Sequence, residues 1–175
     1  MSVLVNKDSK KAQALILKLS DMMRYSIYEG QKDRVTLQQE LDYLKNYITL
    51  QEIRYHKKSD VQFNTEVENP DAKIMPLLFI ILVENAFKHG VSQEINQASI
   101  ALSIATTDKE ILFKLTNSKP KGVVEVLGAN KKSIGMQNTE KQLDLLYPNN
   151  GYELRVENTA TTYNLELKLP LHEKV

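Results

Sequence analysis

The chain has 175 residues, a length that fits one domain or one domain with an appendage, and its apolar content of 42% is enough to form a hydrophobic core. Its 23 basic and 22 acidic residues nearly cancel, so the overall charge does not indicate a nucleic-acid partner. The absence of cysteine excludes disulfides and thiolate metal sites, and three scattered histidines do not form a zinc site. No apolar run approaches the roughly 20 residues that span a bilayer, and no secretion signal opens the chain, so the sequence as given predicts a soluble protein.

The first predicted element is a helix. Apolar residues recur at helical spacing from Ser9 to about Glu29, and the stretch from Gly30 to Asp33 interrupts the pattern. The apolar stripe consists of Leu15, Leu19, Met22, Met23 and Ile27. Because a free terminal helix should not expose so many apolar side chains, we expect the stripe to pair with a second copy in a homodimer or to fold against the rest of the chain.

A second helix is predicted from Thr36 to about Tyr55. Thr36 is typical of an N-cap, and Gln39 three residues later completes a capping box, in which each side chain bonds the backbone N–H of the other residue. Apolar residues then follow at alternating spacings of four and three. The polar stretch 57–60 ends this pattern, so we place a domain boundary near residue 58.

Beyond that boundary the apolar period changes to two, which indicates β-strands. Two strands are predicted to form a hairpin around Asp108 and Lys109, and the last two form another around 158–161. The stretch 117–132 is predicted to be a loop that can act as a lid, and 133–147 a helix. The predicted strands are 61–67, 100–104, 111–115, 154–156 and 163–169. The pattern predicts an α+β fold, in which two N-terminal helices precede a sheet covered on one face by helices.

The most informative stretch is LVENAFKHG at 82–90, where polar side chains interrupt an otherwise apolar helix. Pro76 suits the first turn of this helix. Asn85 and Lys88 lie three apart, and Asn85 and His89 lie four apart, so a regular helix places all three on one face. The pattern therefore predicts one polar face on a helix that is buried elsewhere.

Three side chains of this stretch suit a magnesium-bound phosphate chain. Asn85 offers a neutral oxygen ligand to a hard cation, Lys88 a positive charge to phosphate oxygens, and Glu84 a carboxylate that orders water or accepts a proton. A surface helix with ordinary polar positions is the alternative, and the flanking sequence decides between the two.

The stretch LVENAFKHG is similar to the N-box of the ATP-binding domain that sensor histidine kinases share with DNA gyrase, Hsp90-type chaperones and MutL-type repair proteins. Three flanking stretches indicate which of these families the chain resembles most. LSDMMRYSIY at 19–28, LQQELDYLKNYITLQEIRY at 37–55 and SIGMQNTEKQLDLLYP at 133–148 resemble the LytS-type sensor histidine kinases in sequence, order and spacing. The resemblance covers nearly the whole chain.

The resemblance implies a two-layer α/β sandwich of the Bergerat type, with a mixed sheet, at residues 58–175. Residues 1–57 would then form the helical tail of the dimerisation and phosphoacceptor region. The implied activity is that of an ATP-dependent protein-histidine kinase, which uses ATP and Mg²⁺.

The resemblance also implies roles for the N-box residues. In such kinases the N-box asparagine holds magnesium against the triphosphate, so Asn85 is the implied metal ligand. Glu84 would lie near the path of water or protons and act with Asn85 as a catalytic residue, and Lys88 would face phosphate. His89 either contacts the phosphate or the lid, or caps the helix C-terminus through the helix dipole.

The second glycine box of the family, commonly GxGL, corresponds to Ser133, Ile134, Gly135 and Met136, so a serine replaces one expected glycine. Gly135 would allow close backbone approach at the start of a helix whose N-terminal amides favour phosphate. By this resemblance Ile134, Gly135 and Met136 are expected to bind the nucleotide.

The adenine-recognition box of the family usually reads Asp-x-Gly-x-Gly, whereas the equivalent stretch LTNSKP contains Thr116 and Asn117 and no carboxylate. The Asn117 carbonyl or the Thr116 hydroxyl can accept a hydrogen bond from the exocyclic amine of adenine, but a neutral acceptor makes a weaker bond than an ionised one. Thr161 or Thr162 is a further candidate for an adenine contact, and the strand register decides which.

The reaction implied by the resemblance transfers the ATP γ-phosphoryl to a histidine and then to the receiver domain of a response regulator, of LytTR type. None of His56, His89 or His172 lies in the Pro-His-Phe-Leu context of the family. The phosphoacceptor is therefore expected upstream of residue 1, with membrane-spanning helices that hold the parent protein in a bacterial inner membrane and leave this segment in the cytoplasm. The alternatives are a degenerate nucleotide-binding or scaffolding module without phosphotransfer and a purely structural interaction domain.

Overall fold

The structure is a computed structural model that describes residues 2–55, 59–88, 98–119, 134–148 and 151–171. Its helices are α1 (Ser2–Arg24), α2 (Leu37–Tyr55), α3 (Leu78–Ala86) and α4 (Ile134–Leu146), and a π turn (Tyr25–Glu29) follows α1. Its strands are β1 (Val35–Thr36), β2 (Ser59–Glu66), β3 (Lys73–Ile74), β4 (Ala98–Thr106), β5 (Glu110–Ser118), β6 (Glu153–Asn158) and β7 (Thr162–Pro170). None of the described helices has an apolar stretch long enough to cross a lipid bilayer.

Five strands form one mixed sheet in the order β2-β4-β5-β7-β6. β2 and β4 are parallel, and each of the other neighbouring pairs is antiparallel. Alternate residues of β4 and β5 are buried, which shows that helices cover one face of the sheet and leave the other exposed. The prediction of an α+β fold with a sheet covered on one face is confirmed, and so are both predicted hairpins.

The hydrophobic core joins the sheet to α2 as well as to α3. Leu41 and Leu44 of α2 are buried in the same cluster as Phe79 of α3 and Phe113 of β5. The rings of Phe79 and Phe113 stack with their centroids 5.0 Å apart. The core is therefore continuous across residue 58, and the domain boundary near that residue stays a prediction.

The N-terminal helices agree with the sequence patterns except at the ends of the first. α1 begins at Ser2, earlier than the predicted Ser9, and its last turn widens into the π turn instead of ending as a regular helix. The capping box is confirmed, because the Gln39 N–H donates to Thr36 Oγ1 at 3.2 Å and the Thr36 N–H donates to Gln39 Oε1 at 2.9 Å. α2 ends at the predicted Tyr55.

The start of α3 differs from the prediction. Pro76 does not lie in the first helical turn, because Leu77 between it and the helix adopts a left-handed conformation with φ 59°. A non-glycine residue in this conformation interrupts the helical path, so the helix starts only at Leu78. A short antiparallel ribbon of β1 and β3, which the sequence did not predict, lies just before this turn.

The C-terminal helix is confirmed as α4, with Met136 and Leu143 buried and Leu146 half-buried. The predicted loop at 117–132 starts later, since β5 runs through Ser118. Most of that loop lies outside the described residues.

Candidate functional site

The last turn of α3 carries the polar side chains of the N-box. α3 is nine residues long and six of them are buried, so its polar positions are confined to its C-terminal end. Glu84 is exposed there and Asn85 is half-buried. Lys88 is exposed and follows the helix, with Phe87, in a π-helical conformation. Because a π turn is wider than an α turn, Asn85 and Lys88 are not related by the regular helical spacing that predicted their common face. His89 lies outside the described residues.

Aromatic side chains of α2 stand beside this end of α3. The Phe87 ring lies edge-on to Tyr47 at 5.6 Å and stacks with Tyr55 at 6.4 Å, measured between centroids. The Arg54 guanidinium lies over the Tyr55 ring at 5.2 Å from its centroid. α2 therefore supplies an aromatic wall with a positive charge at its edge.

The Glu84 carboxyl lies next to this wall. Loss of surrounding water raises its pKa above the usual 4.5. Burial raises the pKa of Tyr47, and the negative charge of Glu84 raises it further. A carboxyl with a raised pKa is a suitable proton acceptor or donor nearer neutral pH, which is the role predicted for Glu84.

A buried acceptor in the same wall has no hydrogen-bond partner among the described residues. It is Oε1 of Gln51, one helical turn after Tyr47 on α2. Gln51 bonds the Tyr47 hydroxyl through its other end, which lowers the pKa of Tyr47 against the larger effect of burial. Within the described part of the chain, one end of the Gln51 amide is therefore unpaired beside Tyr47.

α4 packs against α3 on another side. Met136, Thr139 and Leu143 of α4 are buried, so the helix turns an apolar face with one hydroxyl toward the core. The structure describes the backbone of Ile134 and Gly135, which form the first turn of α4. Met136 is the member of the predicted glycine box that the structure places in the core.

The two predicted adenine contacts on β5 point in opposite directions. Asn117 is buried on the helix-covered face, and its Nδ2 donates to the Ser118 carbonyl at 3.0 Å. Thr116 is exposed on the other face, as the strand period requires. Only Asn117 therefore shares a face of the sheet with α3 and α4.

The strand register places Tyr163, and neither threonine, opposite Asn117. Tyr163 of β7 pairs with Asn117, and Thr162 pairs with Ser118 one step away, so Thr162 belongs to the outer face. Thr161 precedes the strand and is exposed. Burial and the negative charge of Glu140 on α4 raise the pKa of Tyr163 to about 12.

Sequence reasoning missed four residues of this region, namely Tyr47, Arg54, Tyr55 and Tyr163. The first three belong to a predicted helix, where their spacing resembled an ordinary amphipathic pattern. Tyr163 was assigned only to a strand, because its partner across the sheet depends on a register that local spacing does not fix. The signal available was an aromatic residue in a last strand that is otherwise polar and aliphatic.

Comparison with known proteins supports the resemblance. The sequence model of the histidine kinase family matches residues 1–59. Sensor protein LytS of Staphylococcus saprophyticus is 25% identical over 98% of this chain and 30% of that protein. The sensor histidine kinase/phosphatase LytS of Staphylococcus aureus is 33% identical over 59% of this chain and 18% of that protein. The chain thus spans less than a third of the length of these relatives.

The fold resembles that of a solved histidine kinase. The crystal structure of the histidine kinase ThkA in complex with the response regulator TrrA superposes with a TM-score of 0.52 at 13% identity, and the match covers 97% of this chain and 51% of that one. In sequence the chain is thus similar to LytS-type sensor histidine kinases, and its fold is that of a histidine kinase.

Proposed function

We propose that the chain provides the ATP-binding catalytic part of a sensor histidine kinase, which transfers the γ-phosphoryl of ATP to a histidine upstream of residue 1. The observation that carries the proposal is the confinement of Glu84, Asn85 and Lys88 to the end of an otherwise buried helix. In the transfer a histidine nitrogen forms a bond to the γ-phosphorus while the bond to the ADP oxygen breaks.

The residues at the end of α3 fit a magnesium ion bound with nucleotide. Among the described residues, no group of three or more His, Cys, Asp or Glu side chains could hold a metal. Mg²⁺ in phosphate sites usually takes one or two protein ligands and completes its shell with phosphate oxygens and water. The half-buried Asn85 amide would be that protein ligand, and the ion would neutralise phosphate charge.

Other side chains would hold the rest of the nucleotide. Lys88 would face the phosphates, and His89, outside the described residues, remains a candidate beside it. Asn117 would accept a hydrogen bond from the adenine amine, whereas Thr116, on the opposite face, would need a rearranged strand to do so. The backbone at Ile134 and Gly135 would approach the phosphates at the start of α4.

The direct test is a calorimetric titration of this chain with ATP, with and without magnesium. We expect Asn85→Ala to weaken ATP binding in magnesium by at least about tenfold, as loss of metal-site contacts typically does, and to leave binding without magnesium unchanged. Asn64→Ala, an exposed asparagine on β2, is the matched control. Equal binding by Asn85→Ala and the parent chain in magnesium would rule out the assigned ligand.

The altered nucleotide boxes favour a second candidate, a module that binds nucleotide without phosphotransfer. Asn117 is neutral where the family carries a carboxylate, and Ser133 replaces a glycine of the lid region. Incubation of the whole protein with labelled ATP and magnesium separates the candidates. An acid-labile phosphohistidine indicates the kinase, and nucleotide binding without label indicates the module.

The proposed partners follow from the exposed surface and from the relatives. α1 exposes apolar side chains, so we propose that it pairs with a second copy in a homodimer. ThkA binds the response regulator TrrA, and we propose that a response regulator, of LytTR type by the resemblance, receives the phosphoryl group here. The parent protein would lie in a bacterial inner membrane, with this part in the cytoplasm.

A further inference from the structure

The N-terminus of α3 lacks a cap of its own. Leu77, which occupies the N-cap position, has a left-handed backbone and no side-chain hydrogen bond to the helix. The first backbone N–H groups of any α-helix have no partner within the helix, and they carry the positive end of its dipole. The helix that bears the N-box therefore needs acceptors from elsewhere in the chain.

Glu40 of α2 supplies an acceptor. Its side chain is fully buried, and Oε1 accepts a hydrogen bond from the Leu77 N–H at 2.7 Å. Burial raises the pKa of Glu40, while the Tyr25 hydroxyl and the N–H groups of Leu77, Phe79 and Leu78 lower it. The N–H groups of Leu78 and Phe79 thus lie close to the carboxyl, although Oε2 completes no hydrogen bond within the described residues. A carboxyl from one helix caps the start of another.

The same carboxyl oxygen is held from the end of α1. The Tyr25 hydroxyl donates to Glu40 Oε1 at 2.5 Å, and Tyr25 is the first residue of the π turn. The Tyr25 ring packs against Tyr43 of α2 at 4.9 Å between centroids. The bond therefore joins the end of α1 to the start of α3 through one buried acceptor.

Gly30, which follows the π turn, also lies close to Leu77. A Cβ added to Gly30, the residue after the turn, would lie 3.0 Å from Leu77 Cδ1 and 2.5 Å from the Ser26 carbonyl oxygen. The turn consequently lies against the residue whose N–H the carboxyl holds. A shift of the turn can therefore move the start of α3 either through the bond of Tyr25 to Glu40 or through the close approach of Gly30 to Leu77.

α3 is short enough to transmit such a shift to the N-box. Asn85 follows Leu78 by seven residues, which is about 10 Å along a helix that rises about 1.5 Å per residue. Six of its nine residues are buried, and close packing of this kind favours movement of the helix as one piece. The direction of the Asn85 amide thus depends on how the other end of α3 is held.

We propose that Glu40 and Tyr25 are positioning residues, which hold the start of α3 against the end of α1 and so set the direction of Asn85. The proposal rests on the proposed function, because it assigns Asn85 to magnesium. α1 is also the helix proposed to form the homodimer. The proposal therefore links the end of the dimerisation helix to the nucleotide site. The two residues act through α3 and are not assigned any contact with the nucleotide.

The test compares two hydroxyl deletions in this chain. Tyr25→Phe removes the donor to Glu40. Tyr43→Phe removes the other hydroxyl of the same aromatic pair, which lies 3.2 Å from Ser26 Oγ. The measurements are the Kd for ATP with and without magnesium, and amide hydrogen exchange at residues 77–79.

We expect Tyr25→Phe to lower the ratio of the Kd without magnesium to the Kd with magnesium by about 2- to 30-fold, the usual effect of a change between two coupled sites. Exchange at 77–79 should become faster in the same variant. Tyr43→Phe should change both less, because it leaves the bond between Tyr25 and Glu40 in place. Glu40→Gln keeps an acceptor oxygen and should retain more of the ratio than Glu40→Leu, which has none.

The outcomes separate the inference from the proposed function. If the parent chain binds magnesium and ATP but Tyr25→Phe behaves like the parent, only the inference is wrong. Equal effects of Tyr25→Phe and Tyr43→Phe would show general loosening of the fold and would also overturn it. If the parent chain binds no ATP, the proposed function fails and the positioning role fails with it.

Discussion

Asn117 and Tyr163 lie directly opposite each other on neighbouring antiparallel strands, on the face of the sheet that the helices cover. Such cross-strand neighbours have closely spaced side chains, so a ligand that contacts one of them would also lie beside the other. One is a buried amide, and the other is a tyrosine whose pKa is raised to about 12 by burial and by Glu140. The proposed function assigns Asn117 to adenine, at a position where the resemblance implies a carboxylate in other sensor histidine kinases.

Restoring a carboxylate at this position should strengthen nucleotide binding. We expect Asn117→Asp to tighten ATP binding in magnesium by about fivefold, since a hydrogen bond to a charged group is worth about 1 kcal/mol more than one to a neutral group. The buried charge should at the same time lower the melting temperature. Calorimetry and thermal unfolding measure the two effects.

The matched control for this change is Thr116→Asp, which adds the same charge on the exposed face one residue away. It should not tighten binding, because its carboxylate points away from the helices. Tighter ATP binding by Thr116→Asp would contradict the assignment of adenine to the covered face.

Removing the carboxylate of Glu84 should affect phosphotransfer more than nucleotide binding. We expect Glu84→Gln to lower the rate constant for phosphohistidine formation in the whole protein by about 10²- to 10⁴-fold, the usual contribution of a general acid or base. Its ATP affinity should equal that of the parent. Glu157→Gln, an exposed glutamate on β6, should leave the rate unchanged. A fully active Glu84→Gln enzyme would exclude a proton-transfer role.

Local patterns predicted more of the fold than of the site. The Thr36 and Gln39 capping box depends on residues three apart, and the structure confirms both of its bonds. The contact of Glu40 with Leu77 joins residues 37 apart. It also depends on the left-handed backbone of Leu77, which the sequence does not predict because leucine rarely adopts this conformation. Tyr163 likewise meets Asn117 only through the strand register. Contacts of this kind depend on tertiary packing, which periodicity does not encode.

The buried carboxyl of Glu40 should make stability depend on pH. Burial raises its folded-state pKa above 4.5, so between the two pKa values the folded chain binds more protons than the unfolded chain. The stability from this effect is fully present below the unfolded pKa and is lost as the pH rises through the folded pKa. The groups near Tyr25, its hydrogen-bond partner, are Glu29 and Tyr43, and Glu29 adds a further negative charge.

Thermal unfolding of the parent chain and of Glu40→Gln measures this dependence. The melting temperature of the parent minus that of the variant should fall as the pH rises from about 4 to about 8, because the variant has no group to titrate at this position. Glu66→Gln, an exposed glutamate, should give a difference that does not follow this trend. A difference that grows with pH would show that the folded pKa is lowered and not raised.

Gly30 should resist substitution for a steric reason. Its φ of −62° is accessible to any residue, but an added methyl group would lie 2.5 Å from the Ser26 carbonyl oxygen and 3.0 Å from Leu77 Cδ1. We expect Gly30→Ala to lower the free energy of unfolding in urea by about 1–3 kcal/mol, the usual cost of overpacking. Gly151→Ala meets its nearest atom at 3.2 Å and should cost less. A larger loss of stability in Gly151→Ala than in Gly30→Ala would contradict the close contact described at Gly30.

The exposed face of α1 should support self-association. Ile16 and Leu19 are 63% and 51% exposed and lie three residues apart on one face of the helix, and Met23 at 57% extends the same apolar surface. We expect this chain to form a dimer by light scattering, and Leu19→Glu to weaken the dimer by about tenfold or more, because it places a charge in a buried apolar contact. Gln13→Glu adds the same charge at an exposed polar position of α1 and should leave the mass unchanged. A parent chain that stays monomeric at high concentration would refute pairing through this helix, and the apolar stripe would then need a different partner.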